Sequence, residues 1–150
     1  MSLSEYNQKR NFNSTLEPEG KIKQSSTDLI FVVQKHAASH LHYDFRLEMD
    51  GVLKSWAIPK GPSMNPADKR LAIMVEDHPY SYKDFEGTIP EGNYGAGNVI
   101  VWDNGTYILA DKDTVDKDER KLQSDLQKGH LNFILNGKKL KGEFVLVKLK

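Results

Sequence analysis

The chain has no cysteine. That excludes disulfides, thiolate metal sites and a cysteine nucleophile. It has no apolar run near the ~20 residues needed to cross a bilayer. Its opening, Met-Ser-Leu-Ser-Glu-Tyr-Asn-Gln-Lys-Arg, lacks the apolar core of a signal peptide. Together these absences point to a cytoplasmic protein with no membrane partner. Charge of one sign is also missing: 21 basic and 21 acidic side chains cancel. No global basic field announces a polyanion, so any nucleic-acid contact must be local. What is present, 150 residues with 38% hydrophobic and 28% charged, suits one domain with a real core.

Residues 1–27 are polar and aperiodic, and read as an amino-terminal arm that is flexible unless something pins it. Residues 28–150 read as the folded domain. Leu29–Lys35 is a short run of β-formers. Leu41–Met49 alternates apolar and polar residues without a break and is a second strand. Asp50-Gly51 is a type I′ hairpin signal returning into Val52–Ile58. After the loop Pro59–Pro66, Leu71–Glu76 is another strand. His78–Gly97 carries two prolines and four glycines and reads as a long functional loop. Val99–Trp102 and Thr106–Leu109 flank Asn104-Gly105, a second hairpin signal. Val115–Lys128 holds Leu122 and Leu126 on one side, with Asp116 as N-cap and Gly129 as C-cap, and predicts one amphipathic helix. Leu131–Leu135 and Glu143–Leu149 close with a hairpin at Asn136-Gly137. The pattern predicts a mainly β fold: an antiparallel, closed or nearly closed β-barrel with one helix.

The polar face of Leu41–Met49 carries His42, Asp44, Arg46 and Glu48. Alternate strand residues share a face, and His42 and Asp44 lie roughly 6.6 Å apart at Cα. An imidazole and a carboxylate at that spacing can meet on one ion, and His36, at the end of the preceding strand, can join as a third ligand. Such a sulfur-free set suits Mn, Fe, Co, Ni or Zn. Arg46, two further steps along, can reach a phosphate oxygen. By itself the pattern also fits an edge strand whose polar face meets water. His78, before Pro79, sits at a strand end where it can hydrogen-bond a phosphoryl oxygen or protonate a leaving group. Lys60 and Arg70 flank the proline-rich loop as further phosphate contacts. Gly92, Gly95 and Gly97 suit a tight backbone approach, without the sequence of a P-loop or a dinucleotide fingerprint.

Several of these motifs occur together and in order: Phe31-Val-Val-Gln-Lys-His36, His42-Tyr-Asp-Phe-Arg-Leu-Glu48, Trp56-Ala-Ile-Pro-Lys-Gly-Pro62, Val75-Glu-Asp-His-Pro79 and Gly87-x-Ile-Pro-Glu-Gly-x-Tyr-Gly-Ala-Gly97. In this combination the chain resembles the 3′-phosphoesterase module of bacterial DNA ligase D, which also occurs as a stand-alone protein in bacteria and archaea. The resemblance implies a β-barrel with a manganese-dependent site, cobalt or zinc being the other candidate ions. It implies action on DNA or RNA-tipped primer 3′ ends during end joining: removal of a terminal ribonucleoside, then of the 3′-phosphate. It implies His36, His42 and Asp44 as metal ligands, and Arg46 and His78 as the groups that hold the scissile phosphate. Gln34, Lys60, Arg70, Glu76 and Tyr82 fall at further active-site positions, and Arg10 and Glu17 at positions tied to the ribonuclease step. A separate ligase, polymerase or Ku would be the partners. One departure is Asn11, where the family commonly has aspartate; a neutral amide cannot act as a base or anionic ligand, so the phosphatase step is the firmer expectation. His40 has no counterpart in the family's ligand set. The competing reading is a non-catalytic module that grips phosphorylated DNA ends and recruits a ligase or polymerase.

Overall fold

A computed structural model describes residues 2–20, 28–110 and 119–149. The element order is α1 (Leu3–Gln8), β1 (Ile30–Ala37), β2 (Leu41–Met49), β3 (Val52–Ile58), β4 (Ile73–Pro79), a 3₁₀ turn (Tyr80–Asp84), β5 (Gly87–Ile89), β6 (Gly97–Leu109), α2 (Glu119–Lys128), β7 (His130–Gly137) and β8 (Lys141–Val147). All eight strands belong to one antiparallel sheet in the order β4-β3-β2-β1-β6-β7-β8, with β5 also paired to β6. The sheet curls into a nearly closed half-barrel, as the strand pattern predicts; β4 and β8 end the hydrogen-bonded order.

The alternation in β1 and β2 sorts side chains between two cores. Phe31, Val33, Phe45, Leu47 and Met49 join Trp56, Tyr107, Leu109, Phe133 and Leu135 in the larger core, which Leu122 of α2 caps. A smaller core of Tyr6, Leu53, Tyr82, Phe85, Ile89 and Val99 lies beside the polar row of the same strands. Asp50 (φ 56°) and Gly51 (φ 79°) are both left-handed, as a type I′ turn requires, and Met49 pairs with Val52.

Asn104-Gly105 is not a turn. It lies inside the single 13-residue strand β6. A Cβ on Gly105 would stand 2.0 Å from the Asn136 carbonyl oxygen, so glycine is there for a close strand approach, not a reversal. The irregularity of β6 is a bulge instead. Val33 pairs with Asp103 but Gln34 with Val101, so Trp102 is the extra residue. It shifts the side-chain alternation and lets Val99, opposite His36, join the smaller core. The last hairpin likewise turns later than Asn136-Gly137, with Asn136 still paired to Lys141; Asp103 accepts from the backbone N–H groups of Lys138, Lys139 and Leu140 and fixes that turn. The His78–Gly97 segment is mostly structured, by the end of β4, the 3₁₀ turn and β5. Helix α2 matches its predicted carboxyl end, with Gly129 (φ 81°) donating to Leu126 O; the predicted start at Val115 and cap at Asp116 lie outside the described residues.

The arm carries a helix that its polar composition does not announce. Ser2 caps α1 by accepting from Glu5 N (3.4 Å), and Tyr6 is fully buried. Residues 2–20 fold back over β4 and the 3₁₀ turn, where Thr15 and Glu17 are also buried.

Candidate active site

Strand register brings His36 and His42 opposite one another across β1 and β2, and Gln34 opposite Asp44. The ring centroids of the two histidines are 4.7 Å apart. Asp44 sits between them. Its Oδ2 is 3.2 Å from His36 Nδ1 and its Oδ1 is 3.2 Å from His42 Nε2. The remaining ring nitrogen of each histidine faces a backbone carbonyl: His36 Nε2 lies 2.7 Å from Gly95 O, and His42 Nδ1 lies 3.1 Å from His40 O. A carbonyl only accepts, so each of those nitrogens is the N–H donor. In the neutral tautomer that leaves the lone pairs of His36 Nδ1 and His42 Nε2 aimed at the carboxylate. Three electron-pair donors whose ligand atoms lie within 4.8 Å of one another fit a divalent cation. Orientation of each imidazole through its far N–H is the usual support of a histidine ligand. Burial disfavours the Asp44 anion, but when the facing imidazole nitrogens carry protons their hydrogen bonds, with Arg46 nearby, hold its carboxyl far below the carboxylate range. The Asp44 hydrogen bond raises the His42 imidazole against partial burial. His40 contributes its carbonyl while its ring stays exposed; β2 begins one residue later.

Arg46 follows on the same face. Nη2 is 3.5 Å from Asp44 Oδ2, and Nε donates to Gln34 Oε1 at 2.7 Å. Gln34 is fully buried and donates its amide to Tyr82 O (2.8 Å) and Phe85 O (3.1 Å), which fixes its acceptor end toward Arg46. The Tyr82 ring lies 4.8 Å beneath the guanidinium. Arg46 Nη1 is buried with no hydrogen-bond partner among the described residues. An orphaned guanidinium N–H beside a cation site is a place for an anionic oxygen.

The third part of the site comes from the arm. Arg10 donates from Nε to Glu17 Oε2 (3.1 Å), from Nη1 to Glu76 Oε1 (3.4 Å), and from Nη2 to His78 Nε2 (3.3 Å). Tyr82 Oη donates to Glu17 Oε2 at 2.6 Å, and Lys9 Nζ holds the other Glu76 oxygen at 2.9 Å. His78 Nδ1 donates to Glu76 O at 2.9 Å, so Nε2 is the acceptor from Arg10. Burial, then Arg46 and Arg10, push the His78 imidazole well below its ordinary range. His78 thus rests as a neutral acceptor rather than the donor its sequence position suggests. Depression of Glu76 by Lys9 and Arg10 outweighs its burial.

The structure therefore brings together Arg10, Glu17, Gln34, His36, His42, Asp44, Arg46, Glu76, His78 and Tyr82. It keeps Lys60 and Arg70 apart from them. Both are exposed; Arg70 donates to Lys60 O (3.1 Å), pairs with Asp68 (3.3 Å), and lines a hollow with Phe45 and Phe133 on the larger-core side. Asn11 is exposed and shapes the arm by accepting from Asn13 N and Ser14 N. Sequence reasoning missed Tyr6, whose ring lies 3.9 Å from the Arg10 guanidinium and 4.9 Å from the His78 ring. It also missed the Gly95 carbonyl, for which the cluster of glycines was the available signal.

Comparison with known proteins identifies the family. The sequence profile of the DNA Ligase D 3′-phosphoesterase domain matches residues 34–148. The multifunctional non-homologous end joining protein LigD of Pseudomonas aeruginosa is 56% identical over 148 residues, 97% of this chain and 16% of that protein. Its namesake in Mycobacterium bovis is 43% identical over 147 residues, 97% of this chain and 18% of that protein. The Mycolicibacterium smegmatis protein of the same name is 40% identical over 149 residues, 99% and 19%. The chain thus spans less than a fifth of the length of these curated relatives. A profile match over most of the chain, and relatives this similar along nearly all of it, place the chain in the DNA ligase D 3′-phosphoesterase domain family.

Proposed function

We propose that the chain is a metal-dependent phosphoesterase that heals nucleic-acid 3′ ends before they are joined. It removes a 3′-phosphate and, ahead of that, a terminal ribonucleoside. The observation that carries this reading is the juxtaposition at Asp44: two imidazole lone pairs converge on the carboxylate, and beside it Arg46 holds a guanidinium N–H with no partner among the described residues. Cation and anion receptors that close suit a phosphate bridging them.

His36, His42 and Asp44 would hold the ion. Mn²⁺ is the favoured one, with Co²⁺ or Zn²⁺ compatible with the same donors. When bound, such an ion supplies Lewis acidity and a water of lowered pKa. The chain's own groups do the rest. Arg46, braced by Gln34 and Tyr82, neutralises a non-bridging oxygen as charge builds on the phosphoryl group. Arg10 meets the site through His78, with its orientation set by Glu17 and Glu76. An entering phosphate brings negative charge toward His78, raises its proton affinity, and so favours the protonated ring as a donor. Water attacks phosphorus and the bond to the leaving oxygen breaks. For a terminal ribonucleoside the leaving group is its 5′ oxygen, which leaves a 3′-phosphate. For the 3′-phosphate it is the 3′ oxygen, which leaves a hydroxyl. The ribonucleoside's 2′-hydroxyl distinguishes RNA from DNA at that step. Lys60 and Arg70 lie away from the cluster, and this reading gives them no part at the scissile phosphate.

Action on DNA ends is supported by the names of the relatives as end-joining proteins; a separate ligase, polymerase or Ku is the partner this reading implies. The test uses a duplex with a 3′-phosphate. Wild type should release phosphate with Mn²⁺, lose that activity in chelator, and regain it on Mn²⁺ addition, while His42→Ala stays folded and inactive. Equal release by His42→Ala would sink the site assignment. Tight binding of the duplex with no release under any metal would favour the end-gripping module instead.

A further inference from the structure

Among the phenylalanine, tyrosine and tryptophan rings of the described residues, Tyr94 alone is substantially exposed, at 48%. Most other rings near the site are buried, Tyr6 and Tyr82 among them. An exposed ring that serves packing needs no fixed backbone, yet the backbone of Tyr94 is held firmly. The segment 90–96 is two consecutive turns, closed by Asn93 N to Pro90 O (3.2 Å) and Ala96 N to Asn93 O (3.2 Å). Gly92 (φ 89°) and Gly95 (φ 76°) supply the left-handed conformations it needs. The Asn93 side chain donates to Pro90 O (3.1 Å) and accepts from Ser14 Oγ of the arm (2.9 Å). The next carbonyl after Tyr94, that of Gly95, is the acceptor that orients His36. The ring is therefore tied through one residue to a proposed metal ligand. Two cations lie over part of it: Lys9 Nζ is 4.6 Å from its centroid and the Arg10 guanidinium carbon 5.4 Å.

A rigidly mounted, half-exposed aromatic ring with positive charge beside its open surface is an arrangement that accepts a nucleobase: the exposed part of the ring stacks, and the cations draw the backbone. The geometry also suits a terminal nucleotide, whose base lies one sugar away from its 3′ phosphorus. We propose that Tyr94 is the platform on which the base of the terminal 3′ nucleotide stacks, so that this phosphoesterase senses a base as well as a phosphate. The inference rests on the phosphoesterase reading above. Tyr94 contributes no chemistry to the reaction; it sets where the end lies.

The experiment compares two 3′-phosphorylated duplexes that differ only at the terminal nucleotide, one bearing its base and one a tetrahydrofuran abasic sugar. Phosphate release with Mn²⁺ is measured for wild type, Tyr94→Phe, Tyr94→Leu and Tyr94→Ala. Stacking on an aromatic side chain is worth roughly 5- to 150-fold in affinity per base. Wild type and Tyr94→Phe should therefore show a KM lower by a factor in that range on the base-bearing end, with similar kcat on both. In Tyr94→Leu and Tyr94→Ala the two KM values should converge. A ring that only anchors the arm predicts equal loss on both ends and an unchanged ratio, and that result overturns the inference. Absence of release from either end by wild type would instead overturn the phosphoesterase reading and take this inference with it.

Discussion

The two halves of the site are built in different ways. The half that could hold a cation, His36, His42 and Asp44, comes from one hairpin, and its geometry is a consequence of β1–β2 register. The anion half joins Arg46 of that hairpin to Arg10 and Glu17 of the arm and to Glu76, His78 and Tyr82 around the end of β4; Arg10 and His78 are 68 residues apart. The first half costs the fold little, since a two-strand ladder supplies it. The second is a buried network of charges that must all be satisfied at once, so function and stability are coupled there.

That contrast can be broken by substitution. Asp44→Asn should have the largest effect on catalysis. Loss of groups that merely support metal ligands typically costs 10- to 100-fold, so loss of the shared carboxylate should cost about 10³-fold or more in phosphate release. The folded state, followed by circular dichroism and urea unfolding, should be nearly unchanged. Arg46→Lys keeps the charge but loses the planar fork that reaches both Gln34 and a phosphate oxygen; kcat should fall about 10²-fold. Arg10→Ala separates the halves most sharply. It strips a buried partner from Glu17 and weakens the hold on Glu76, so urea unfolding should show a loss of about 3 kcal/mol alongside reduced activity. If Arg10→Ala leaves stability untouched, the arm is not structurally coupled to the site. Tyr82→Phe should have the smallest effect. It deletes one donor to Glu17 but keeps the ring beneath Arg46, for about 1 kcal/mol in stability and less than about tenfold in kcat.

The same contrast explains what could be read in the sequence. Alternation in Leu41–Met49 gives the face, the hairpin at Asp50-Gly51 gives the register of β2 on β3, and those are local rules. Arg10, Glu17, Glu76 and Tyr82 follow from no period; only the resemblance to a family singles them out, because contacts between distant segments leave no spacing. Asn104-Gly105 misled for a related reason. A dipeptide that suits a type I′ turn also suits a strand pressed against a neighbouring backbone, and the Asn136 carbonyl that decides between them lies 31 residues downstream of Gly105. Polar composition hid the arm's helix, because α1 is held by one buried ring, Tyr6, rather than by an apolar stripe.

The central claim is that His36, His42 and Asp44 form one divalent-cation site, which an electron paramagnetic resonance titration of free Mn²⁺ tests directly. Wild type should take up one Mn²⁺ per chain. His36→Ala, His42→Ala and Asp44→Asn should each abolish that uptake while remaining folded, and Arg46→Ala should retain it. Undiminished uptake by folded Asp44→Asn, or loss of uptake only in variants that unfold, would contradict the account.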